Sequence, residues 1–171
     1  MSTEGGDGQA KLRIIEEARR AIMDEGRPEA VARQHNSGKY TARERIARIC
    51  DRDSFREMGS LVEPLRDTGF NADLVAPADG VVTGSGLIDG RAVSIMSHDY
   101  TVLGGSTGKH GSAKANRAIL RATEHGVPLV ALLEGGGHRI QDGQDSRHFA
   151  GAGPVFQLLA RNSGWVPMAM A

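Results

Sequence analysis

Residues 127–133 read VPLVALL, seven positions without a polar side chain. The run is too short for a buried helix and shows no 3.6-residue pattern. It reads as a strand covered on both faces, the kind found in parallel sheets. Parallel strands require crossovers, and in α/β layers these are helices joined in the right-handed sense. The flanks supply them. A helix is predicted from about Ser112 to Glu124, with Ser112 as N-cap and Gly126 just past its end. A second is predicted around Pro154 to Arg161, stopped by Asn162 and Gly164, and WVPMAMA after it reads as another buried strand. Upstream, DGVVTGSGLIDGRAVSIMSHD is two strand-like runs joined at Asp89-Gly90, a strong hairpin signal.

The second half therefore reads β-β-α and then β-α-β. The terminal MAMA has no helix after it to cover its far face, so the chain reads as stopping mid-domain. The first third differs. Residues 1–8 are rich in Gly, Ser and acids, and read as a disordered tail. Residues 9–25 place Leu12, Ile15, Ala18 and Ile22 on one helical face, which Gly26 and Pro28 end. PEAVARQH is a short helix broken at Asn36-Ser37-Gly38. TARERIARI opens with a capping box, Thr41 and Glu44. Residues 9–53 thus read as a charged helical arm or outer layer, and residues 54–78 as loop and irregular pieces.

Composition narrows the function. Hydrophobic residues are 39% and charged residues 25%, as in soluble globular domains. Lys+Arg and Asp+Glu are both 21, so no overall field draws the chain to nucleic acid or an acidic membrane. Aromatics are 4%, too few for a base-stacking platform. No stretch approaches the roughly 18 apolar residues of a membrane span. MSTEGGDGQAK lacks a secretory apolar region. The single cysteine, Cys50, cannot form an internal disulfide, sits in the helical pattern ERIARIC and reads as a packing residue. A cytoplasmic protein is the expectation.

Ligands of α/β sheets bind beyond the carboxyl ends of the strands, and two Gly-rich loops fall there. In LGGSTGKHG, Gly104, Ser106 and Gly108 match the G-x-S-x-G nucleophile elbow. A helix beginning near Ser112 rather than at the serine argues against that, while His125, His138 and His148 keep a serine hydrolase as an alternative. The same loop is one residue short of a P-loop, and His110 replaces the Mg²⁺-binding hydroxyl. Amides of this loop with Lys109 suit an anionic ligand. GSGLIDG is a hairpin, not a dinucleotide fingerprint. In EGGGHRIQDG, glycines allow two neighbouring amides to point outward. One such oxyanion donor lowers a barrier by about 3 kcal/mol, which suits enolisation of a thioester. Arg139 and Gln141 either orient this loop or reach an anion, and a plain turn is the alternative. The histidines show no zinc-type spacing, so no metal is expected.

Three stretches, GKYTARERIARICDRDSFREMGSLVEP, DGVVTGSGLIDGRAVSIMSHDYTVLGGSTGKHG and VPLVALLEGGGHRIQDG, together resemble the amino-terminal part of the carboxyltransferase (beta) subunit of biotin-dependent acyl-CoA carboxylases. The resemblance covers residues 38–143. It implies an α/β crotonase-like spiral of ββα units, with residues 54–171 as an incomplete carboxyltransferase domain behind the arm. It implies carboxyl transfer from carboxybiotin to the α-carbon of an acyl-CoA in fatty acid metabolism. It also implies a homo-oligomer, with biotin carried by a partner carboxylase or carrier subunit. Gly136 and Gly137 fall on the family's oxyanion glycines. Gly104, Gly105, Ser106, Lys109, His138, Arg139 and Gln141 are the implied substrate-binding residues. Where the family has D-S-G-G-A, this chain has Glu134, Gly135 and His138 in place of Asp, Ser and Ala. The imidazole beside the amides bears on which acyl group fits. Two other readings stand beside this one: a non-catalytic CoA-binding or assembly unit that pairs through VPMAMA, and a crotonase-like hydrolase or isomerase.

Overall fold

The computed structural model describes residues 4–66, 73–140 and 154–171. At the centre is the predicted hairpin. β2 (Val81–Ile88) and β3 (Arg91–His98) pair antiparallel, with Ile88 opposite Arg91. Asp89 and Gly90 between them have φ of 49° and 74°, the two left-handed residues that a tight hairpin requires. The Asp51 carboxylate accepts both of their amides, at 2.9 and 2.8 Å.

Among the described residues the sheet has five strands in chain order. β1 (Arg56–Met58) adds antiparallel to β2, while β4 (Leu129–Leu132) and β5 (Met168–Met170) extend the other side in parallel. VPLVALL thus forms the expected parallel strand. Leu129 and Ala131 face one layer, and Val130 and Leu132 face the other. On the first face lies α4 (Lys109–His125), burying Ala115, Ala118, Ile119 and Ala122 beside α5 (Pro154–Asn162). On the second lies α3 (Ala42–Ile49), burying Ala42 and Ile46 against Val82, Val93 and Ile95.

Several expectations are corrected. α3 is a layer of the core and not an outer arm, with Ile46 only 1% exposed. Its charges mask a two-residue apolar stripe, Ala42 and Ile46, at helical spacing. Its capping box, Thr41 with Glu44, forms as read. α1 (Glu4–Ile22) begins inside the supposed tail. α2 (Pro28–Asn36) follows as expected. Residues 54–78 contain β1, too short to show a period. α4 starts at Lys109 with Gly108 as N-cap, not at Ser112. Its cap is supplied from elsewhere in the chain: Asp79 Oδ2 accepts the Gly111 amide at 2.6 Å. β5 is the last strand of the sheet among the described residues, and Met170 is 48% exposed. Hydropathy gives the strand but not its place in the sheet.

Candidate active site

β3 and β4 run parallel, so the loops that follow them leave the sheet at one edge. Leu103, Gly104 and Gly105 take left-handed backbone in succession, with φ of 49°, 63° and 69°. The chain then runs extended through Ser106 to Thr107, which pairs with His138 across the second loop. Thr107 N–H donates to Gly137 O and Arg139 N–H donates to Thr107 O, both at 2.9 Å. Gly105 and Gly135 meet backbone to backbone, and a Cβ on either would run into the other. The two Gly-rich loops are therefore one structure.

This geometry redistributes the predicted roles. Gly136 N–H donates to Gly104 O at 3.2 Å, so this amide is turned into the loop pair and not outward. Gly137 has φ of 92°, and its amide has no partner among the described residues. One open donor stands where two were expected, because the close approach of the loops consumes the other. Gly105 is buried as the contact point of the loops, whereas Gly104 and Lys109 are exposed, Lys109 as the first residue of α4. His138 is half-buried, with its backbone in the bridge to Thr107. Gln141, Gly143 and His148 lie outside the described residues.

Of the two roles open to Arg139, the structure supports orientation of the loop. The side chain is 1% exposed; Nη1 pairs with Asp79, itself buried, and Nη2 donates to Ser106 O at 3.1 Å. Ser106 does not form a nucleophile elbow. It has extended backbone, the helix starts three residues later, and no histidine bonds its hydroxyl among the described residues.

Other contributors were not read from the sequence. From sequence, Asp79 reads as the start of a strand. Lys114 was hidden in a helical pattern; it is buried, and desolvation lowers its pKa to about 8. Glu134 gathers Lys39 at 2.9 Å, Arg45 at 3.4 Å and the Gln34 amide at 3.2 Å. Glu134 thereby ties the Gly-rich loop to α2 and α3. Arg45 also donates to His98 O, and burial with this neighbouring charge lowers the His98 pKa. Asp99 at the end of β3 takes Arg27 at 3.0 Å. A cavity of about 600 Å³ lies beside α4, lined by Met58, Val62, Thr83, Lys114, Arg117 and Arg121 among others, but no residue of either Gly pair borders it. Among the described residues, no group of three or more His, Cys, Asp or Glu gathers to hold a metal. Nor is any helix long and apolar enough to cross a membrane.

The mixed sheet covered by helices matches the fold of crotonase-type carboxyltransferases. The chain belongs to the carboxyl transferase domain family, whose model matches residues 33–170. It is similar to the propionyl-CoA carboxylase beta chain of Roseobacter denitrificans, 43% identical over 157 residues, covering 91% of this chain and 30% of that one. It is similar to the methylmalonyl-CoA carboxyltransferase 12S subunit of Propionibacterium freudenreichii subsp. shermanii, 41% identical over 160 residues, with 93% and 30% covered. In structure it is similar to a transcarboxylase 12S hexamer with methylmalonyl-CoA and methylmalonic acid bound, with a TM-score of 0.87 and 38% identity. That match covers 99% of this chain and 32% of that one. The chain thus spans about a third of the length of the proteins it matches.

Proposed function

We propose that this chain provides the acyl-CoA side of a biotin-dependent carboxyltransferase, acting on a short acyl-CoA such as propionyl- or acetyl-CoA. The observation that carries this reading is the open Gly137 amide at an exposed sheet edge, in a chain of the carboxyl transferase family. A thioester oxygen seated on that amide gains a donor as it becomes an enolate oxygen. The same donor stabilises the ground-state carbonyl less, so it lowers the barrier. The α-carbon exchanges its C–H bond for a C–C bond; carboxybiotin, when bound, would supply the carboxyl carbon by giving up its N–C bond, and the freed ureido nitrogen would take the α-proton.

Biotin, carried by a partner subunit, would supply that carboxyl group. Among the described residues, nothing lies within 4 Å of a Cβ built at Gly137, which suits a group delivered from outside the chain. The hexamer named for the similar transcarboxylase supports a homo-oligomer, and a single cysteine supports a cytoplasmic setting. In this reading the product enters fatty acid metabolism. Calorimetric titration of the chain with propionyl-CoA tests it, followed by addition of a biotinylated carrier and its carboxylase. Saturable binding and transfer support the proposal, and absence of binding refutes it.

A second reading has its own observation. Met170, Phe156 and Trp165 are large apolar residues exposed among the described residues. That suits a unit that docks on another subunit and binds CoA without turnover.

A further inference from the structure

The turn before β2 holds three consecutive left-handed residues: Ala78, Asp79 and Gly80, with φ of 52°, 50° and 73°. Alanine and aspartate adopt this conformation only where their surroundings over-determine it. Here the surroundings do. Lys114 Nζ donates to Ala78 O at 2.9 Å and to Val81 O at 2.5 Å, clamping the turn from both sides. The Asp79 amide donates to Ala76 O at 2.9 Å. The Asp79 carboxylate is 0% exposed and divides its oxygens. Oδ2 takes the Gly111 amide in the first turn of α4, and Oδ1 takes the Arg139 guanidinium. The glycines make room for it: a Cβ at Gly108 would stand 2.5 and 2.6 Å from the two carboxylate oxygens.

One carboxylate therefore joins three segments that are far apart in sequence: the strained turn, the start of α4 and the loop after β4. Through Arg139 it also holds the carbonyl of Ser106, in the loop after β3. Such a buried pair is a poor way to gain stability, since well-packed apolar residues often do as well. Its geometry is suited to fixing direction.

We propose that Asp79 is the positioning residue of this site. Acting through Arg139 and the Gly111 amide, it sets the spacing between loops 104–107 and 135–139, and so the direction of the Gly137 amide. What that amide binds rests on the carboxyltransferase reading; the coupling of the loops does not.

The test uses Asp79→Asn and Arg139→Lys in the 171-residue chain, with residue-resolved amide hydrogen exchange and propionyl-CoA titration. Asp79→Asn leaves the Arg139 charge without its counter-charge. The amides of Thr107 and Arg139 should then exchange faster by about tenfold or more, the loss expected when a hydrogen bond to a charged group fails. Ile95 and Leu129, in the sheet, should keep their rates. Arg139→Lys keeps the charge but not the fork, and should give a smaller acceleration confined to the same loops. Acyl-CoA affinity should fall in the same order.

If loop and sheet amides accelerate together, Asp79 is merely structural and the proposal is overturned. Unchanged loop amides overturn it as well. If Asp79→Asn does not fold, the ratio of loop to sheet rates in Arg139→Lys decides alone. Wild-type chain that binds no acyl-CoA would sink the functional reading, yet the exchange rates would still decide the coupling.

Discussion

Gly105 is the position where the two loops are made one, and Gly105→Ala tests that directly. Two costs add. The residue has φ of 69°, and placing a side chain in left-handed backbone costs roughly 1–2 kcal/mol. The new methyl would also meet Glu134 O and Gly135 backbone, neither of which can rotate away as a side-chain tip would. Forcing such a contact costs typically about 1–3 kcal/mol. The sum is roughly 2–5 kcal/mol. Gly104→Ala is the control: it carries a similar φ, 63°, but among the described residues nothing lies within 4 Å of its Cβ. It should cost only the backbone part, roughly 1–2 kcal/mol. Urea unfolding gives both values as midpoint shifts at constant slope. Acyl-CoA affinity should fall more for Gly105→Ala, because separating the loops also breaks the Gly136–Gly104 bond. Equal losses in the two variants would refute the close approach as the source of the effect.

Ile46→Ala removes a fully buried side chain between α3 and the sheet and should cost about 2–5 kcal/mol in urea unfolding; a loss below about 0.5 kcal/mol would return α3 to the role of an outer arm. Lys114 gives a pH dependence. Its pKa is lowered to about 8 in the folded chain from 10.5, so between these values the unfolded chain binds more protons. Stability should therefore rise as pH climbs from about 8 toward 10.5, by an amount on the order of a few kcal/mol at most. Lys114→Met should flatten that rise in denaturation curves taken across the window. Ser106→Ala should leave acyl-CoA binding and thermal stability near wild type, since the Ser106 group in use is its backbone carbonyl; abolition of an esterase activity would instead revive the serine hydrolase.

Legibility in the sequence follows the range of the interactions. Elements fixed by local chemistry were readable: the Asp89-Gly90 hairpin, the Thr41–Glu44 capping box, the Gly126 cap of α4 and the apolar run of β4. What escaped depends on partners distant along the chain. The start of α4 was misplaced because its cap, Asp79, is 32 residues from the amide it accepts. The buried face of α3 is hidden because it rests on few apolar residues, Ala42, Ile46 and Ile49, among many charges. At the site, the Gly-rich loops and the family could be named from motifs alone. That Gly136 turns inward, and that Arg139 is committed to Asp79, depends on how two loops pack. No spacing within either loop encodes that.

The most direct measurement of the central claim is the backbone amide signal of Gly137, followed by NMR as propionyl-CoA is added to the chain. The account predicts a saturable shift at Gly137, with smaller shifts at Gly104 and His138 and little change at Arg117 and Arg121. Shifts confined to the cavity beside α4, with Gly137 unmoved at saturation, would contradict it.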